Sequence, residues 1–350
     1  MLLFAPCRSS QSLLCCVLVG FAGRSSVSIV CCELLRLQRN MDEQESSKKR
    51  EPLSAMEEER PSKVQKNEEL TAPEEIDNRV IEYLYGMEEE LLLKKMNFEQ
   101  RMGIDDTLSI YRAKIVDVLA LLSCRLGLDQ DTLHTAFSYY DRYNSLNPVV
   151  DTDKLELIGV SSLYIAGKYE ERAGMKQSFY FVQFMDSPIA DGQILNMETE
   201  ILGCLRYKLG YPTVKTFLRI FLDKVQKDYE EKNLQLEHMA SYIADLSLVE
   251  HECCKFKPSL LASSIIFLIK FLIQPNSQPW SSTSEQRFRY MASDMKECVN
   301  ILYELRSGKR HRTLEIREKY RRDQFLGVAK SPLPELSPSI FYDCLKDVGL

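Results

Sequence analysis

Glycine and proline are scarce in this 350-residue chain, at 14 and 13, and Asn-Gly or Asp-Gly turns are few. A hairpin-rich β architecture depends on such turns, so helices are the expected elements. The eleven cysteines, at 7, 15, 16, 31, 32, 124, 204, 253, 254, 298 and 344, include no C-x-x-C pair. An odd, scattered set argues against a disulfide framework or a zinc site, and for reduced thiols in an intracellular compartment. His251-Glu252-Cys253-Cys254 is the one His/Cys cluster. It lacks a second ligand pair, which favours ordinary buried or surface side chains over a metal site.

Neither sign of charge dominates: 45 Lys+Arg stand against 51 Asp+Glu, a net charge of -6. Nothing in that balance pulls the whole chain towards nucleic acid or an anionic membrane. Long apolar runs are missing too. Leu13–Gly23 is cut short by Arg24-Ser25-Ser26, and the apolar stretch from Leu260 is broken by Lys270. Both are too short to span a bilayer. What is present is 45% hydrophobic and 27% charged residues, enough for an ordinary globular core divided between two domains.

Catalytic signatures are absent as well. Gly159 to Lys168 ends in Gly-Lys, but its glycines are too far apart for a phosphate loop, and Tyr169 stands where Ser or Thr is required. There is no G-x-S-x-G elbow, no H-E-x-x-H helix, and no convergent set among the four histidines. No cofactor is expected.

Residues 1–40 hold four Arg, one acid at Glu33 and five of the eleven cysteines. That composition fits a targeting segment, or equally a gene-model extension ahead of Met41. Residues 41–75 lack aromatics and are rich in Glu, Lys, Ser and Pro, so a disordered tail is expected there. The tail carries the basic cluster Lys48-Lys49-Arg50, a minimal nuclear-import signal, and the R-x-x-L form Arg50–Leu53. Nucleus and cytoplasm are the expected compartments.

From residue 76 the apolar spacing is helical. Ile115, Val118, Leu119, Leu122 and Leu126 draw one stripe, and Asp131 is the expected N-cap of a helix carrying Leu133, Ala136, Phe137 and Tyr140. Leu155–Arg172 is apolar or small all round, which predicts a central bundle helix. Further helices are expected over 189–205, from Val214, and over 236–248, 258–273, 291–305 and 313–320. The expected architecture is all-α: two tandem five-helix modules after a disordered N-terminal region. Its parts are 76–208, a leading helix with the first module; 209–310, the second; and 311–350, a C-terminal tail.

Charged residues inside apolar helices need partners. Arg112 near the start of one helix and Asp141 near the end of the next would meet if the two pack antiparallel, giving a structural ion pair. Lys168 and Glu198 look available to another molecule. The alternative is that Lys168, Glu170, Glu171 and Arg172 are a solvated helix end.

At these residues the chain resembles the cyclin family, in its mitotic A/B class. Tyr111–Leu119 is similar to M-R-x-I-L-V-D-W-L, Tyr140-Asp141-Arg142-Tyr143 to Y-x-D-R-[FY], and Ala166–Glu171 to A-[SG]-K-[FY]-E-E. Tyr242–Leu248 resembles Y-x-x-E-L-S-L, and Lys257-Pro258-Ser259 resembles x-P-S. Ile316–Tyr320 followed by Phe325–Val328 is like the A/B tail. The resemblance makes the two modules cyclin boxes and implies a non-catalytic activating subunit of a cyclin-dependent Ser/Thr kinase, acting around G2/M. It assigns kinase contact to Lys168 and Glu198, with Tyr169, Tyr207, Phe181 and Phe184 as the apolar part, for which core burial is the alternative. It also implies a docking patch for R-x-L substrates or inhibitors at Tyr111, Lys114, Ile115, Val118, Leu121, Leu155 and Glu156. The patch departs from the family at Tyr111, Lys114, Val118 and Leu121, and a cation in the groove predicts weak R-x-L binding. The other reading is a cyclin-fold adaptor of a transcription or nucleic-acid complex, using the basic stretch Lys309-Arg310-His311-Arg312 and Arg321-Arg322. Ser331-Pro332 and Ser337-Pro338 have the form that proline-directed kinases modify, and turn formation is the plainer reading of each.

Overall fold

The computed structural model describes residues 78–91, 106–147, 154–172, 178–183, 189–227, 229, 232–311, 314–334 and 338. The segments expected over 1–40 and 41–75, with Lys48–Leu53, lie outside these residues, as do Phe184, Arg312 and Ser337. The chain divides into two units, Met1–Leu84 and Tyr85–Leu350. In the first, residues 78–84 are described and helical. In the second, every regular element among the described residues is helical.

After helical residues 85–91 come α1 (Asp106–Leu126), α2 (Gln130–Leu146), α3 (Leu155–Glu170), α4 (Ser178–Gln183) and α5 (Asp191–Cys204). A second set of five follows: α6 (Val214–Gln226), α7 (Leu234–Val249), α8 (Pro258–Ile273), α9 (Ser282–Phe288) and α10 (Ala292–Ser307). A 3-10 turn, His251–Lys255, links α7 to α8, and α11 (Glu315–Arg321) and the 3-10 turns Asp323–Phe325 and Val328–Lys330 are the last regular elements among the described residues.

In the first set α2 and α3 form the centre, with α5 and α1 packed on α3. α3 is buried without a break from Ile158 to Gly167, as its small and apolar composition predicts. Gly159 permits the crossing with α1: a Cβ there would come within 2.8 Å of Ile115 Cγ2 and 3.3 Å of Leu119 Cδ1. The N-cap of α2 is Asp129, not Asp131, and its side chain accepts from the Asp131 amide at 3.1 Å. Asp131 instead pairs with Arg219 of α6. The apolar stripe of α1 is narrower than its spacing suggests. Ile115, Leu119, Leu122 and Leu126 are buried, whereas Val118 is exposed.

In the second set α8 is the centre, packed against α6, α7 and α10. Pro258 at its start needs no amide partner. The buried Glu88 accepts from the Ser259 amide at 2.7 Å and from its hydroxyl at 2.6 Å, a carboxylate at the positive end of the helix. α4 and α9, of six and seven residues, leave no sustained apolar period for a sequence reading to find.

α11 lies on both α1 and α7, while α2 touches α6 and α7, so the two sets share an interior. A buried carboxylate joins them. Asp245 of α7 accepts from Lys319 Nζ at 2.9 Å and Tyr320 OH at 2.8 Å, both of α11. It also meets His134 Nε2 of α2 at 3.1 Å and Lys215 Nζ of α6 at 3.6 Å. Burial alone would raise the Asp245 pKa, but Lys319, Lys215 and His134 outweigh it and hold the carboxyl well below its ordinary value.

Candidate partner-binding surface

The one-turn spacings of α3 and α5 bring Lys168, in the last turn of α3, beside Glu198 of α5. Lys168 Nζ lies 2.8 Å from both carboxylate oxygens. The lysine side chain is 43% exposed and the glutamate 13%, so the pair faces outward across the helix junction. The Lys168 ammonium also sits 4.2 Å from the centre of the Tyr164 ring. Burial lowers its pKa, but Glu198 and Tyr164 more than compensate, and the amine stays charged.

The expected aromatic neighbours separate into two kinds. Phe181 is fully buried, edge-on to Tyr164 at 5.4 Å, and supports the ring beneath Lys168 from inside. A surface role for Phe181 therefore gives way to the core alternative. The aromatic residues that α4 turns outward are Phe179 and Tyr180, which sequence spacing in so short a helix could not single out. Leu195, one turn from Glu198 on α5, is exposed as well. Tyr207 is 71% exposed, thrown out of the α5 terminus by two successive left-handed residues, Arg206 (φ 51) and Tyr207 (φ 55). For non-glycine residues that conformation costs roughly 1–2 kcal/mol each. The bonds from Tyr207 N to Leu202 O and from Arg206 N to Gly203 O, both 3.0 Å, hold it. Tyr169 is half-buried.

Glu170 and Glu171 are not a solvated end. Glu171 Oε1 accepts from the Asp129 amide and the Thr132 hydroxyl, each at 2.7 Å, and Glu170 Oε1 accepts from Thr135 at 2.8 Å. Glu171 thus caps the N-terminus of α2 and Glu170 braces the Thr135 hydroxyl, while Lys168 and Arg172 are the exposed members of the run. Desolvation raises the Glu170 pKa to about 6.

On α1, Ile110, Tyr111, Lys114 and Val118 are exposed, and Lys114 Nζ stands 5.5 Å from the Tyr111 ring centre. Ile115 and Leu155 are buried, while Leu121 and Glu156 are half-buried. The expected patch is therefore a narrow apolar strip with a cation on it. Arg112, 1% exposed, donates through Nη1 and Nη2 to both oxygens of Asp141, the second at 3.2 Å, and through Nε to Leu248 O at 3.2 Å. Burial pulls its pKa down, and Asp141 reverses this.

Two arginines of the basic C-terminal stretch meet carboxylates. Arg310 pairs with Glu250, Glu252 and Glu304, Arg321 pairs with Glu318, and Arg322 Nη1 lies 3.4 Å from Cys124 Sγ.

Two family models match: cyclin, N-terminal domain, over residues 79–210, and cyclin, C-terminal domain, over 212–334. Over 267 residues the chain is 41% identical to the G2/mitotic-specific cyclin C13-1 of Daucus carota, a match that covers 75% of this chain and 77% of that one. The chain belongs to the cyclin family. Cyclin-A3-4 of Arabidopsis thaliana is 37% identical over 234 residues, covering 66% of this chain and 63% of the relative. A viral cyclin from herpesvirus saimiri shares the fold, with a TM-score of 0.54 at 18% identity, over 63% of this chain and 95% of that one. A mitotic and an A-type relative agree with the A/B class indicated by the motifs. Within this cyclin the motif segments serve one another. Tyr242 accepts from Arg317 Nη1 at 2.9 Å, and Asp245 takes Lys319 and Tyr320, so two motifs 75 residues apart are one assembly.

Proposed function

We infer that this cyclin is the regulatory, activating subunit of a cyclin-dependent Ser/Thr protein kinase of the cell cycle, and that it docks through the α3–α4–α5 layer around Lys168 and Glu198. The observation that carries the reading is the outward-facing Lys168–Glu198 pair, with exposed Phe179, Tyr180, Leu195 and Tyr207 on the elements beside it. Aromatic and aliphatic side chains around a central polar pair are the composition of a docking hot spot. After the two meet, the ammonium turns to Tyr164 and the carboxylate keeps further lone pairs for a partner's donors.

The reading gives the chain no catalytic step of its own. In a kinase the ATP-site lysine must be met by a glutamate on a mobile helix. A partner that binds only the arrangement in which they meet shifts the population towards it by its differential affinity. G2/M is the phase that the name of the Daucus carota relative favours. The nucleic-acid reading has less support, because Arg310 and Arg321, two of the cations it would use, are already paired with carboxylates.

The test is association of the full chain with purified cyclin-dependent kinase, measured by calorimetry. Lys168→Ala with Glu198→Ala is expected to weaken binding by at least about a hundredfold, as two hot-spot truncations should. An unchanged circular-dichroism melt would show that the fold persists. Undiminished affinity in the folded double variant would overturn the site.

A further inference from the structure

Two buried guanidinium groups sit near the C-terminal end of α10 without a counter-ion. Arg306, 5% exposed, donates Nη2 to Val328 O at 3.3 Å and to Ser331 O at 2.7 Å, while its Nε is buried and makes no hydrogen bond. Arg317, 8% exposed, is held by the Tyr242 hydroxyl and by the carbonyls of Leu305, Arg310 and His311. Among the described residues neither has a carboxylate within ion-pair distance. Burial lowers the Arg306 pKa, and the charge of Arg317 lowers it further. A buried cation with only neutral acceptors lacks the compensation that an anion supplies.

The residue whose carbonyl Arg306 grips is the serine of a Ser-Pro dipeptide. Ser331 is half-exposed, its hydroxyl makes no hydrogen bond among the described residues, and its backbone is extended (φ -55, ψ 134), followed by exposed Pro332. It lines an open hollow of about 510 Å³ with Asp323, Leu326, Gly327 and Lys330. The hollow has room for a larger group on the serine.

We propose that Ser331 is phosphorylated by a proline-directed Ser/Thr kinase and that Arg306 anchors the phosphate, fastening the segment after α11 to the end of α10. ATP supplies the phosphoryl group: the bond from its γ-phosphorus to the β–γ bridging oxygen breaks, and a bond to Ser331 Oγ forms. The hydroxyl proton passes to the catalytic carboxylate of the kinase, and ADP departs with the electron pair. The product carries close to two negative charges and three acceptor oxygens on the residue whose carbonyl Arg306 Nη2 already holds at 2.7 Å. Lys330 adds a second cation at the rim. Asp323 and the carbonyl end of α10 oppose the phosphate, but the Leu305 carbonyl is already taken by Arg317, at 2.5 Å. Arg306 and Lys330 together outweigh that one exposed acid.

The experiment treats the full chain with MgATP and a proline-directed kinase that is active by itself on a Ser-Pro control peptide. Its outcome is thus independent of whether this cyclin activates a kinase. Peptide mapping is expected to place phosphate on Ser331 and to find none there after Ser331→Ala. In a phosphorus-NMR titration the second phosphate pKa should fall below the ordinary value of about 6. Amide exchange over 326–331 should slow by about tenfold, as one new charge-assisted bond would give. Arg306→Gln should return the titration to about 6. Because that change removes contacts inside the fold, the exposed Lys330→Gln is measured beside it and should retain most of the shift. An unmodified Ser331 under conditions that convert the control peptide would overturn the proposal. So would a phosphate that titrates at about 6 without added protection, or loss of the shift on Lys330→Gln alone.

Discussion

Arg112 and Asp141 show what a single buried charge demands. The guanidinium has no water to fall back on, so it needs a carboxylate and a carbonyl, and it finds Asp141 and Leu248. Asp141→Ala would leave the cation buried and uncompensated, at a cost of about 3–5 kcal/mol in urea unfolding. The double replacement Arg112→Met with Asp141→Leu removes both charges and should recover most of that loss. If the double variant is no more stable than the single one, charge compensation is not what the pair contributes. That these two residues belong together was legible in the sequence, because each is a charge within an apolar helical pattern. The Leu248 carbonyl was not, since a helix-end carbonyl carries no side-chain signature. Burial also separates residues that the sequence treats alike. Phe179 and Phe181 are two positions apart in one six-residue helix, yet one is exposed and the other is sealed against Tyr164.

At the scale of the element, α1 carries two faces. Its inner face meets α3 across Gly159, where a side chain would collide with Ile115 and Leu119. Its outer face presents Tyr111, Lys114 and Val118. On the R-x-L reading that the resemblance implies, a docked peptide would bring a cation towards Lys114, and like charges there would discriminate against it. Fluorescence titration of the full chain should therefore show weak R-x-L binding, and Lys114→Ile should strengthen it by about tenfold, the effect of removing roughly 1.4 kcal/mol of repulsion. Tight binding by the unaltered chain would sink the argument. The 3.6-residue period located the longer helices, and α8 ends where the apolar run does, at Ile273. It misplaced Val118, because five apolar positions at helical spacing do not say how wide a strip the neighbouring helices cover. α2 starts on Asp129 rather than Asp131 for a tertiary reason as well: Glu171 takes the Asp129 amide, and Arg219 takes the Asp131 carboxylate.

For the whole molecule, Asp245 is the point where α2, α6, α7 and α11 converge. Its carboxyl stands below its unfolded value, so its stabilisation is complete above pH about 4 and is lost as the pH falls through the lower folded value. Asp245→Asn should flatten that acid limb. At neutral pH it should destabilise the chain by about 3–5 kcal/mol, because Lys215 and Lys319 lose their counter-charge. Urea unfolding between pH 7 and pH 3 checks both effects, and a variant with an unchanged acid limb would remove Asp245 from this role. The largest effect should appear in amide exchange of α11, the element that this carboxylate fastens to both sets of helices.

What the sequence by itself determined is the helical class, the two tandem sets, the family, and the chemical kinds of residue at the proposed docking face. These follow from periodicity, composition and motif order, which are local along the chain. Only the tertiary structure decided which aromatic rings stay outside, which acids become caps, and where the carboxylate that unites the two sets finds its partners. Burial and polar pairing depend on distances between segments far apart along the chain, 171 residues for Glu88 and Ser259, and no local pattern encodes those distances.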